Sequence, residues 1–88
     1  MDRQRIDKWL WHARMVRTRG DAAALADAGH VRLNGRRVAA SSQMVRVGDV
    51  VTVALDRVVR VVEVQGFSSR RDGAVLAQRL YREVDSAS

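Results

Sequence analysis

Fifteen residues near the N-terminus, Arg5 to Arg19, carry Arg5, Lys8, Arg14, Arg17 and Arg19 against a single acid, Asp7, and they hold both tryptophans of the chain. Arginine presents a planar fork of donors that matches phosphate, and its face stacks on nucleobases. A second pair, Arg36 and Arg37, directly follows Asn34-Gly35. Two basic clusters on rigid turns can grip a charged backbone at two points. The chemistry on offer is anion recognition.

Other chemistries find little support. The ten acids are scattered, no two at an obvious catalytic spacing, and several stand where caps or turns are expected. Ser41-Ser42 has no base near it in sequence, and no phosphate-loop or dinucleotide fingerprint is present. The expectation is a non-enzyme without cofactor or small-molecule substrate. There is no cysteine, which excludes disulfides and thiolate metal sites. His12 and His30 are too few to hold a metal alone. No apolar run approaches the roughly 20 residues of a membrane span, and Met-Asp-Arg-Gln-Arg lacks the apolar segment of a signal peptide. A cytoplasmic protein is expected.

The chain has 88 residues and a net charge of +6, and of its 16 basic residues a single one is lysine. The excess is uneven. Residues 1–19 hold six basic groups against two acidic ones, whereas residues 39–65 balance at zero. Charge gathered at one end suits a binding face better than a general solubility device.

The elements that must position these residues follow from period and punctuation. Ile6, Trp9, Leu10 and Ala13 mark one face of a first helix, with Asp7 as its N-cap, Ile6 stapled onto Trp11, and an end near Arg14 or Met15. Thr18 caps a second helix, with Asp21 three residues on as a weak capping box. Ala22-Ala-Ala-Leu-Ala26 has high helix propensity and little bulk, and Gly29 is the stop. His30 to Leu33 alternates, Asn34-Gly35 signals a hairpin, and Arg36-Arg37-Val38 leads back out. Residues 39–43 read as a loop, Met44 to Val47 as a short strand turned by Gly48-Asp49, and the valine-rich runs 50–55 and 58–64 as two more strands. After a polar loop, Asp72 is expected to cap a last helix through Leu80 or beyond, with Leu76, Leu80 and Val84 at i, i+4 spacing. Residues 85–88 read as a frayed tail. The fold class is α+β, in one domain over residues 1–84.

Three side readings bear on function. Trp9 belongs to the core stripe, while Trp11 is either a stacking platform or a cover over the closing helix, the latter favoured by about two to one because tryptophan buries a large area. His12 is either a hydrogen-bonding partner for RNA or an idle exposed residue. A helix-turn-helix DNA reader is the rival arrangement, but Asp21 to Ala28 offers no Arg, Asn or Gln for base edges, and its aspartates repel phosphate. A regulatory protein-interaction module with secondary RNA contacts is the other alternative.

The pattern Arg5-Ile-Asp-Lys-Trp-Leu10, Arg14, Thr18-Arg19, Ala22, Leu25, Gly29-His-Val-Arg-Leu-Asn-Gly35, Val38 and Gly48-Asp49 resembles the S4-type RNA-binding domain family, named after a small-subunit ribosomal protein. Ile6, Thr18 and Leu33 are mild replacements, and the likeness covers roughly residues 5–53. It implies two packed N-terminal helices, a small curved mostly antiparallel sheet and a short C-terminal helix, the alpha-L RNA-binding motif. The Lys-Trp-Leu-Trp run and the size look most like the small stand-alone members of heat-shock and ribosome quality-control type, although the heat-shock type carries a longer basic C-terminal extension. The implied partner is ribosomal RNA of the large subunit, with the tRNA of a stalled nascent chain as a further candidate. The implied contacts are Arg5, Lys8, Arg14, Arg17, Thr18, Arg19, Asn34, Gly35, Arg36 and Arg37; Asp7 and Gly29 look structural. Pseudouridine synthases and tyrosyl-tRNA synthetases share the module, but 88 residues leave no room for their catalytic domains.

Overall fold

The apolar stripe of the first helix decides where the core forms. In the computed structural model, which describes residues 2–84, Ile6, Trp9, Leu10 and Ala13 are all buried. The tail read as frayed, 85–88, lies outside the described residues. Helix α1 spans Ile6–His12 and helix α2 spans Arg19–Asp27. Ala22 and Ala26 are the buried face of α2, and their small side chains let the two helices approach closely. Trp9 is fully enclosed, and its indole Nε1 donates to the Gly66 carbonyl at 3.0 Å, so burial leaves no polar atom of the ring orphaned.

Alternating valines build the sheet that closes this core. Strands β2 (Val31–Leu33), β3 (Arg36–Arg37), β5 (Val50–Ala54), β6 (Val59–Val64) and β7 (Tyr81–Glu83) form an antiparallel sheet in the order β3-β2-β5-β6-β7. Val31, Val51, Val53, Val62 and Val64 point inward and are fully buried. Their registers agree: Val31 faces Val53, and Val51 faces Val62. Asn34 and Gly35 both take positive φ, 52° and 84°, the requirement of the tight two-residue hairpin between β2 and β3.

Two elements differ from expectation. Arg3–Arg5 forms a strand, β1, paired antiparallel with β4 (Met44–Arg46) in a separate two-stranded sheet. Its sequence has no β-branched residue; the strand exists because its backbone finds β4, not because of local preference. The last helix is also much shorter than the i, i+4 spacing suggests. Helix α3 is the single turn Ala74–Ala77, begun at Gly73 rather than capped by Asp72, and a 3₁₀ turn, Gln78–Leu80, ends it. Tyr81–Glu83 then pairs with β6, and the Leu80 carbonyl accepts from the amides of Gln65 and Gly66. The open edge of β6 needed hydrogen-bond partners, and satisfying it outweighed the weak helical periodicity. Val84 is therefore not on a helix, and Leu76 is half exposed.

Candidate nucleic-acid interface

The corner between α1 and α2 is made by a left-handed residue. After Ala13 the amide of Arg14 bonds to the Trp11 carbonyl and that of Met15 to the Leu10 carbonyl, the two-bond Schellman closure of a helix. Arg14 stands in the left-handed position with φ 60°. Helix α2 ends with the same pair of bonds, Gly29 to Ala26 and His30 to Leu25, but there a glycine takes the left-handed position at φ 85°. An arginine where glycine belongs costs about 1–2 kcal/mol. Its Nη1 donates to the Asp72 carbonyl at 3.2 Å.

Thr18 caps α2 as expected, its Oγ1 accepting from the Asp21 amide at 3.0 Å. Arg17, Thr18 and Arg19 are exposed around that helix start, where unpaired amides and the helix dipole favour an anion. Asp7 does not cap Trp9 or Leu10. It lies in the first turn of α1, buried, and accepts from the Lys8 amide at 2.7 Å. Arg5 forks onto it with Nε at 3.2 Å and Nη2 at 3.0 Å, and Arg19 approaches from α2 at 3.7 Å. One sequestered carboxylate thus draws an arginine from β1 and another from α2 to the same corner, both of them 43–44% exposed. Ile6 is inside the helix and cannot serve as the staple before a cap.

The second cluster lies at the far end of α2. The Arg37 guanidinium rests over Gly29, where a Cβ would come within 2.7 Å of its Cζ. Arg36 is exposed on the same short edge strand. At a rise of 1.5 Å per residue, α2 separates the two clusters by about 15 Å. Asn34 is occupied: its Nδ2 donates to Asp49 at 3.1 Å and its Oδ1 accepts from the Val50 amide at 2.8 Å. It locks the hairpin turn to the β4–β5 turn, and Gly35 supplies the turn's second positive φ.

Sequence reasoning missed Arg70 and Arg71. They sit in the loop after β6, which α1 and its neighbours hold by its carbonyls: Trp9 binds that of Gly66, Gln4 that of Ser68 at 2.9 Å, and Arg14 that of Asp72. In return Arg71 donates to the carbonyls of Trp11 at 3.1 Å and Val16 at 3.3 Å, with its guanidinium 6.0 Å from the Trp11 ring centre. Partners 55–60 residues apart leave no local signal. Trp11 is half-buried and packed against the core, in keeping with a covering role. His12 is neither exposed nor within reach of a ligand. It is buried, with no partner on Nδ1 among the described residues, and burial, reinforced by Lys8 and Arg19, pushes its pKa below the ordinary value, against the opposing pull of a Ser68 backbone bond and Asp72.

A known module runs through these elements: the S4 domain matches residues 4–51, more than half of the chain. The chain belongs to the S4 domain family. RNA binding is the function that goes with this membership. A heat shock protein 15 homolog of Haemophilus influenzae is 37% identical over 83 residues, which is 94% of this chain and 63% of that protein. Heat shock protein 15 of Escherichia coli (strain K12) is 35% identical over 79 residues, 90% of this chain and 59% of that protein. The chain spans about three-fifths of the length of these curated relatives. A structure described as trimeric Vibrio cholerae heat shock protein 15 superposes with a TM-score of 0.89 at 37% identity, covering 96% of this chain and 84% of that one. The S4 match takes in both helices, the β2–β3 hairpin and β4, and ends inside β5; the loop carrying Arg70 and Arg71 lies beyond it. No helix among the described residues is long and apolar enough to cross a membrane.

Proposed function

We propose that this S4 domain binds structured RNA on the large ribosomal subunit, in a heat-shock or ribosome quality-control role, with the tRNA of a stalled nascent chain as a second partner. The proposed compartment is the cytoplasm, and the proposed unit is one domain over residues 1–84. The observation that carries the reading is the convergence of Arg5 and Arg19 on buried Asp7. Arginines from β1 and from the start of α2 are held on one carboxylate, and both stay 43–44% exposed. Lys8, Arg14, Arg17, Thr18, Arg36 and Arg37 complete the proposed contacts, and Asn34 and Gly35 aim the last two. The relatives named for heat shock support the cellular role. These are phosphate-type contacts, so recognition follows the shape of a folded RNA rather than a linear sequence. DNA reading is disfavoured, because α2 exposes alanine and aspartate along its body.

A competition titration across a salt series tests this, with isolated large subunits, small subunits and duplex DNA as competitors. Large subunits should compete best, and their advantage should persist as salt rises. Equal competition by all three at physiological salt would reduce the protein to a non-specific polyanion binder.

A further inference from the structure

We propose that the loop of residues 66–72 is a third arm of the RNA interface, with Arg70 as a phosphate contact and Arg71 as the residue that positions it. The inference rests on the RNA-binding reading of the helix corner and extends it beyond the part of the chain that the S4 profile covers. Three observations support it.

First, the loop is fastened at the corner at four of its seven residues. Trp9, Gln4 and Arg14 take the carbonyls of Gly66, Ser68 and Asp72, and Arg71 reaches back to the carbonyls of Trp11 and Val16. Val16 lies in the linker between the two helices, so Arg71 ties the loop to the segment that carries Arg17. Second, Arg70 is presented rather than consumed. Its side chain is 82% exposed, and its Nε bonds to Asp72 at 2.9 Å, while among the described residues nothing engages its terminal nitrogens. The Asp72 carboxylate, held also by the Ser68 hydroxyl at 3.0 Å, fixes the stem of the guanidinium and leaves its fork open. Third, the strained Arg14 donates to the backbone carbonyl of Asp72, the residue whose carboxylate holds Arg70, so the corner and Arg70 meet on one residue of this loop. Arg71 has a different part: its donors are spent on two carbonyls, and its face lies toward Trp11.

The test measures binding of large-subunit RNA over a salt series for Arg70→Ala, Arg17→Ala and Arg57→Ala, with thermal melts alongside. Arg57, in the β5–β6 turn, controls for diffuse charge. Arg70→Ala should melt like the parent, bind several-fold more weakly and lower the salt slope by about 0.7–0.9, the loss of one phosphate contact. Arg57→Ala should do neither. If Arg17→Ala weakens binding and Arg70→Ala does not, the third arm is wrong and the corner stands. If neither matters, the RNA reading of the corner falls as well. Equal losses at Arg70 and Arg57 would show a diffuse field and overturn the proposal. Arg71→Lys keeps the charge but cannot fork onto two carbonyls. It should weaken binding in the parent and add nothing in the Arg70→Ala background, the signature of a residue that acts through another. A full, additive loss there would sink the positioning role.

Discussion

Arg14 and Gly29 occupy the same position in the same helix-ending motif, and the contrast between them is informative. Gly29 adopts its left-handed backbone without steric cost; Arg14 does so against its own Cβ. Substituting Arg14→Gly should leave stability equal or raise it by up to about 1 kcal/mol, the relieved strain being partly offset by the greater freedom of glycine in the unfolded chain. RNA affinity should fall. Urea unfolding and RNA titration of the same preparation decide the matter, and a variant that binds like the parent would show that the arginine is merely tolerated. His12 makes a second prediction. Burial holds its folded-state pKa below the ordinary 6.5, so the unfolded chain takes up the proton first as pH falls. Stability is therefore complete above about pH 6.5 and declines as pH drops toward the folded value. Carboxylates that lose protective partners on protonation, Glu63 and Asp72, act in a more acidic range, since their pKa values are lowered by hydrogen bonds from Arg82 and Ser68. Melts at pH 7 and pH 5 should show a drop for the parent and a smaller one for His12→Gln. An equal drop in both would place the acid sensitivity elsewhere.

Elements governed by local rules were legible and elements governed by distant pairing were not. Thr18 and Gly29 bracket α2 because a cap hydroxyl and a left-handed glycine act within a few residues, and Asn34-Gly35 marks its hairpin for the same reason. Strand β1 and the return strand β7 escaped notice because each is defined by a partner far along the chain, β4 in one case and β6 in the other. At the candidate site, the arginines of the corner were visible as a dense run, but not the buried carboxylate that gathers them, since Asp7 read equally well as a cap. The hairpin supplies a prediction at this scale. Beyond its chain neighbours, no atom of the described residues lies within 4 Å of a Cβ at Gly35, so Gly35→Val meets chiefly backbone strain, about 1–2 kcal/mol for placing a branched residue in the left-handed region. Thermal stability should fall by that amount, and RNA affinity should fall through misplacement of Arg36 and Arg37. The Trp9 environment, read by fluorescence, should stay as in the parent; a changed spectrum would mean that the hairpin and the helix corner do not behave as separate parts.

For the molecule as a whole, charge was readable from composition by region but its geometry was not. Residues 66–88 carry little net charge, yet Arg70 and Arg71 end beside the basic N-terminal segment because the loop folds across α1. The same loop sets an order of events. Hydrogen bonds that complete the corner join Trp9 to Gly66, Trp11 to Arg71 and Arg14 to Asp72, partners 57–60 positions apart. Such distant closures form late, because the chain between them must be organised before they repay its lost freedom. On a translating ribosome, the helices and their arginines leave the exit before the loop that completes the corner. Until that loop arrives the corner is incomplete, and a half-made chain emerging beside a dense field of RNA carries the basic residues without the scaffold that lets them grip it.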